Sequence, residues 1–209
     1  MPSAPISPRK TPRQARARAT VAAIEEAAAH ILTHGGVDAL TTNLVAARAG
    51  VSIGSLYQYF PTKEAILAEL LRKLRREHLH DLERAAQQGG DDLRSTTTRM
   101  IRASIAHHTE APELARALEA AESHLPLDAE SEALKTQISA IWTATLSTHA
   151  LPDPSQAAFD LAALTHGMVT RAVQAGERDW DNLAARVTRA ALGYLHLCTQ
   201  DDHQPTQQP

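Results

Sequence analysis

The sequence predicts an all-α protein of about nine helices, with a small three-helix unit at the N-terminus and a larger helical part after it. Three observations lead there. From about residue 15 onward apolar residues recur at helical spacing, and no stretch alternates apolar and polar side chains as a half-buried strand would. Breaks fall at Gly35-Gly36, Gly89-Gly90, Pro112, Pro126, Pro152 to Pro154 and Gly176. Several of these breaks are followed by a residue suited to cap a new helix.

The first helix is expected over 15–34, ending at the glycine pair. Thr41 then caps a short helix over 42–48, its hydroxyl accepting a first-turn amide. Val45, Ala46 and Ala49 form the buried stripe of that helix, slim enough for a neighbour to come close. Gly50 takes the left-handed conformation that ends it, and Ser52 caps a second short helix over 53–59. Leu56, with Val51 and Phe60, turns inward; Ile53, Gly54, Ser55, Tyr57, Gln58 and Tyr59 surround the remaining surface. Pro61 disfavours helical geometry at Phe60, and Thr62 caps a helix running from Lys63 to about residue 87. Further helices are expected over 91–108, 112–123, 127–149, 154–175 and 180–198. Asp153, with Pro154 in the first helical position, caps the eighth, and Asp179 caps the ninth.

Two short helices around a Gly-Val-Ser turn are built to lay the second one in a DNA major groove. Tyr57, Tyr59 and Phe60, three of only seven aromatic residues in the chain, crowd into that second helix and its end. The Gln58 amide suits bidentate pairing with adenine, worth about 1–3 kcal/mol of discrimination. Tyr57, Tyr59, Thr42 and Lys63 suit phosphate contacts, which fix register without reading sequence. Charge is distributed to match: residues 1–76 hold 11 Lys and Arg against 5 Asp and Glu, whereas 77–209 hold 10 against 19. A basic third approaches the phosphate backbone while the acidic remainder is repelled. The competing reading makes Tyr57 a half-buried core aromatic and the helix-turn-helix incidental, in a helical enzyme or small-molecule carrier.

The string Thr41, Ala49-Gly50-Val51-Ser52, Leu56-Tyr57-Gln58-Tyr59-Phe60 and Lys63-Glu64 resembles the DNA-binding domain of the TetR/AcrR family of bacterial transcriptional regulators. The likeness is strong over roughly residues 15–70 and extends beyond them in helical layout and length. It implies a helix-turn-helix DNA-binding domain over 13–62 and a ligand-binding and dimerisation domain over 63–199. Carried over, the family's DNA contacts fall at Thr42, Asn43, Ile53, Gly54, Ser55, Tyr57, Gln58, Tyr59 and Lys63. Members often carry a basic residue at the Asn43 or Ile53 position; this chain has neither. Arg16 and Arg18, at the start of the first helix, are further phosphate candidates. The resemblance also implies a homodimer through helices 154–175 and 180–198, which carry more apolar surface than one internal face needs. A monomeric bundle burying both faces is the alternative. The partners implied are a palindromic double-stranded DNA operator and a small-molecule inducer that releases it; a regulator that binds DNA without any ligand is the third reading.

Candidate ligand contacts are Met100, Ser104, His107 and His108 on one helix and Ile138, Ile141, Trp142 and Thr145 on another, with His124 and His166 facing the same space. They mix apolar walls with a few polar handles, as small-molecule sites do. With so few aromatics, the expected ligand is uncharged or anionic and mostly aliphatic. His30 and His34 share a helix face but lie outside any HExxH motif, and they sit where a helix C-terminus favours them; no metal is expected. No phosphate loop, nucleophile elbow or paired-carboxylate motif points to catalysis, and no cofactor is implied. Cys198 is the sole cysteine, so no intrachain disulfide is possible. The basic, proline-rich arm over 1–12 and the tail over 200–209 are expected to be disordered. Without a signal-peptide core or membrane span, the expected location is cytoplasmic.

Overall fold

The computed structural model describes residue 7, residues 15–88 and residues 92–200, the side chains of 107 and 197–200 excepted. The arm over 1–12 (residue 7 apart), the Gly89-Gly90 break, the tail beyond Gln200 and the side chains of His107 and Cys198 therefore lie outside the described residues. Among the described residues there are nine α-helices and one 3-10 turn. They are α1 (Ala15–Gly35), the turn Val37–Ala39, α2 (Thr42–Arg48), α3 (Ile53–Tyr59), α4 (Lys63–Gln87), α5 (Leu93–Glu110), α6 (Pro112–Glu122), α7 (Asp128–Leu146), α8 (Pro154–Gln174) and α9 (Trp180–Gln200).

Local chemistry sets most of the ends. The Thr41 hydroxyl accepts from the Leu44 amide at 3.2 Å, Ser52 from Ser55 at 3.0 Å and Thr62 from Ala65 at 3.1 Å, so α2, α3 and α4 start where the sequence predicts. Gly50 has φ +66° and closes α2 in the left-handed region. Asp153 accepts from the Ser155 and Gln156 amides at the head of α8, and Asp179 from the Asn182 amide at the head of α9. Helix α5 begins two residues later than expected, because Asp92 takes the capping role and accepts the Ser95 amide at 2.7 Å. Helix α7 stops at Leu146 rather than 149. There the Ser147 and Thr148 hydroxyls donate back to the Thr143 and Thr145 carbonyls, a pattern that competes with helix continuation. The 3-10 turn after the glycine pair was expected as loop.

The chain divides into two compact units, Met1–Arg76 with Glu110–Ala129, and Glu77–Thr109 with Glu130–Pro209. By packing, the division falls after Arg76, whereas the resemblance implies a domain boundary after residue 62. The first unit keeps the head of α4 and all of α6, since Ala115, Ala117, Leu118 and Ala121 of α6 are buried in one core with Ile24, Ala28 and Leu32 of α1. Alanines let α6 approach closely, and an ion pair of 2.6 Å between Arg75 Nη2 and Glu122 Oε1 ties it to α4. Leu56, Phe60, Ile66 and Leu70 complete that core.

The second unit is built around Trp142, Met100, Ile101, Ile105, Leu161 and Val187. Arg99 of α5 donates to the carbonyls of Ala85 and Gln88, capping the end of α4. Tyr194 of α9 donates to Asp160 of α8 at 2.6 Å. That bond, then one from Gln156, holds the Asp160 carboxyl below its ordinary value against a smaller opposing effect of desolvation. A depressed folded-state pKa contributes stability above the unfolded value and loses it as pH falls through the folded one. Tyr194→Phe is therefore expected to lower the melting temperature at neutral pH and to leave it unchanged in acid below that range. An equal deficit at both pH values, read by thermal unfolding, refutes the assignment.

Candidate nucleic-acid interface

Helix α3 is seven residues long, and its single buried residue is Leu56. Phe60, one turn on, is buried as well, so the core claims one stripe and the opposite face is left to solvent. On that face lie Ile53 at 37% exposure, Gly54, Tyr57 at 41% and Gln58. The half-buried aromatic is Tyr59, not Tyr57. Tyr59 stands three residues after Leu56 and shares its side of the helix, so the ring packs partly on the core rather than projecting. Ser55 is partly buried, and its hydroxyl lies 2.8 Å from that of the N-cap Ser52.

Tyr57 reaches across to α2, where its hydroxyl lies 3.1 Å from that of Thr42. The two open onto a surface cleft of about 380 Å³ lined by Asp38, Leu40, Thr41, Thr42, Tyr57, Pro61, Thr62 and Lys63. Lys63 is exposed there at the head of α4, a helix of 25 residues whose positive dipole end faces outward with it. Hydroxyl donors, an ammonium and a helix N-terminus form an anion-accepting group. Asp38 lines the cleft as well and opposes Lys63 in sign.

Asn43 and Arg16 are exposed, in the first turns of α2 and α1, and neither lines the cleft. Arg48 closes α2 near His30, whose imidazole is held below its ordinary value by desolvation first and Arg48 second. The sequence reading missed Leu44, a leucine of α2 that is 47% exposed; its signal was an apolar residue standing off the Val45 and Ala46 stripe.

The candidate ligand residues separate. Met100, His108, Trp142 and Thr145 are buried in the second unit, and Ser104, Ile138 and Ile141 are partly buried there. Ser104 and Thr145 donate to the Met100 and Ile141 carbonyls of their own helices, which occupies those two handles. His108 stacks on Trp180 with ring centroids 5.6 Å apart. His166 is exposed, and His124 is exposed in the other unit beside Ser123, so neither joins the set. Position decides both: His166 follows Thr165, which takes the buried side of α8, and His124 lies beyond the end of α6. Two residues outside the candidate ligand set are Thr97 and Thr165. Both are buried, and their hydroxyl oxygens have no hydrogen-bond partner among the described residues. His30 and His34 stack at 4.1 Å; among the described residues no group of three or more His, Cys, Asp or Glu is placed to hold a metal ion. No helix among them is long and apolar enough to cross a membrane.

Residues 24–70 match the family model for bacterial regulatory proteins of the tetR family, and residues 92–195 match a tetracyclin repressor-like C-terminal domain. No curated protein matches the chain. Among solved structures, a protein of unknown function from Rhodococcus sp. RHA1 is 23% identical with a TM-score of 0.69, the match covering 87% of this chain and 96% of that one. A TetR transcription regulator from Haloarcula marismortui is 18% identical with a TM-score of 0.71, covering 86% and 97%. SmeT, the repressor of the Stenotrophomonas maltophilia multidrug efflux pump SmeDEF, is 21% identical with a TM-score of 0.64, covering 84% and 91%. At these identities the likeness establishes the fold.

Proposed function

This chain belongs to the tetR family of bacterial regulatory proteins, and from that premise we propose that it is a repressor binding a palindromic operator as a homodimer and released by a small molecule. It is a transcriptional regulator with a DNA-binding domain, not an enzyme. The observation that carries the finer reading is the exposed face of α3 beside the cleft of Thr42, Tyr57 and Lys63, a reading surface next to a phosphate seat. The dimer is supported by α8, where Phe159 is 64% exposed near the small residues Ala163 and Gly167. Two copies then present α3 to successive major grooves roughly 34–36 Å apart. The reading carries a cytoplasmic location with it, since the operator is there.

Release by ligand is part of the proposal. Helix α4 starts with Lys63 in the first unit and ends in the second, and it is the element through which we propose that ligand acts on the phosphate seat. The ligand has to favour the state that does not bind DNA; a coupling of about 1–3 kcal/mol gives a 5- to 150-fold change. The buried hydroxyls of Thr97 and Thr165 are the polar contacts that a mostly aliphatic ligand finds in the second unit.

Selection from a random DNA pool with the purified protein tests the reading. An enriched inverted repeat, with affinity falling in salt at a log-log slope of about 0.9 per phosphate contacted, supports it. A helical carrier enriches nothing. On the selected operator Gln58→Ala is expected to relax base preference at one position per half-site. Lys63→Ala is expected to weaken all sequences alike and reduce the salt slope by about 1. An unchanged preference profile in the Gln58 variant removes direct readout by that residue.

A further inference from the structure

We infer that α3 recognises thymine through its C5 methyl group, with Ile53 as the contacting side chain and Gly54 as the clearance that lets it arrive. The inference rests on the DNA-binding reading above and specifies what that surface reads.

Consider what the first turn of α3 projects. Leu56 is buried, Ser55 is turned to Ser52, and Gly54 has no side chain, so Ile53 is the bulky group left facing outward. The helix IGSLYQY carries no charged residue. It therefore lacks the Arg or Lys that makes the commonest bidentate contact with guanine. Arg48 stands in the last turn of α2, not on α3, and Lys63 belongs to the phosphate cleft. In the major groove the apolar feature that distinguishes one base from another is the thymine methyl. An exposed β-branched aliphatic side chain has no better complement there.

Gly54 supplies an independent argument. A Cβ built on it meets only Ser52 Oγ, at 3.9 Å, an ordinary contact, and its φ lies outside the left-handed region. Among the described residues nothing requires glycine at this position, although a helical glycine is less stable than alanine by up to about 1 kcal/mol. The missing side chain is accounted for on the outer side, where the start of α3 must come close to base edges. Gln58 lies one turn beyond Gly54, so an adenine-reading amide follows the methyl-reading side chain along the helix. The half-site so described contains A·T pairs at the positions under α3.

The test uses the full chain and the operator selected from a random pool. Fluorescence anisotropy compares that duplex with one in which deoxyuridine replaces the half-site thymidines, which removes the methyl and keeps base pairing. The expected loss is about 4-fold for each contacted methyl, the factor corresponding to ~0.8 kcal/mol per buried CH₂. Ile53→Ala is expected to bind both duplexes equally while melting like the parent. Gly54→Ala is expected to melt no lower than the parent and to bind the operator more weakly. If uridine duplexes bind as well as thymidine ones, or Ile53→Ala keeps the difference between them, methyl readout is wrong and operator binding still stands. If the pool yields no enriched sequence, the DNA-binding reading fails first and takes this one with it.

Discussion

Phe60→Ala is expected to destabilise the first unit by about 3–5 kcal/mol, the usual loss for truncating a fully buried Phe. The ring has no exposed surface and shares a core with Leu56, Ile66 and the buried face of α1. Phe60 also ends α3: its amide donates to the Leu56 carbonyl at 2.9 Å before Pro61 turns the chain into α4. Truncation thus removes both the packing under α3 and the anchor that sets its angle to α4. Operator binding is expected to disappear at temperatures where the parent binds fully. Urea unfolding measures the stability, and anisotropy on the selected operator measures the binding. A loss under about 1 kcal/mol would mean that the surrounding side chains collapse into the gap, contrary to a core already closed on all sides.

Trp142→Ala is expected to cost the second unit about 3–5 kcal/mol for the same reason. Trp142 is 1% exposed among Met100, Ile101, Leu146 and Leu161. The outcome distinguishes two roles that sequence reasoning left together. A side chain that holds the core shut loses its full packing on truncation, whereas one lining an open ligand space loses much less because one side had no neighbours. Urea unfolding of the variant decides between them, with a cost below about 1.5 kcal/mol favouring the open space. The two buried clusters share no residue, so the double variant is expected to show the sum of the single costs to within about 0.5 kcal/mol.

Local determinants were readable in the chain and tertiary ones were not. Thr41, Ser52 and Thr62 each cap the helix they precede, because a hydroxyl and an amide three residues on need no distant partner. For that reason α2, α3 and α4 begin and end where expected. Helix α5 starts later than expected because Asp92, not the glycine pair before it, sets the first turn. That Tyr59 packs partly on the core while Tyr57 stays exposed turns on the direction from which the core approaches a helix of two turns, something composition does not carry. Thr97 and Thr165 resemble any helical threonine until burial is known. The allegiance of α6 was equally hidden: its alanine stripe suits either core, and nothing in residues 112–122 says which one it serves.

That allegiance bears on how the protein can be cut. The unit that carries α3 is discontinuous in sequence, closed by a segment that returns more than thirty residues after the chain has left it. A fragment stopping at Arg76 would leave the buried face of α1 without α6, whose Leu118 lies in the same core. Anyone exchanging the reading head for a relative's to redirect the regulator has to transplant two pieces, residues 1–76 and 110–129, and splice them at three joints.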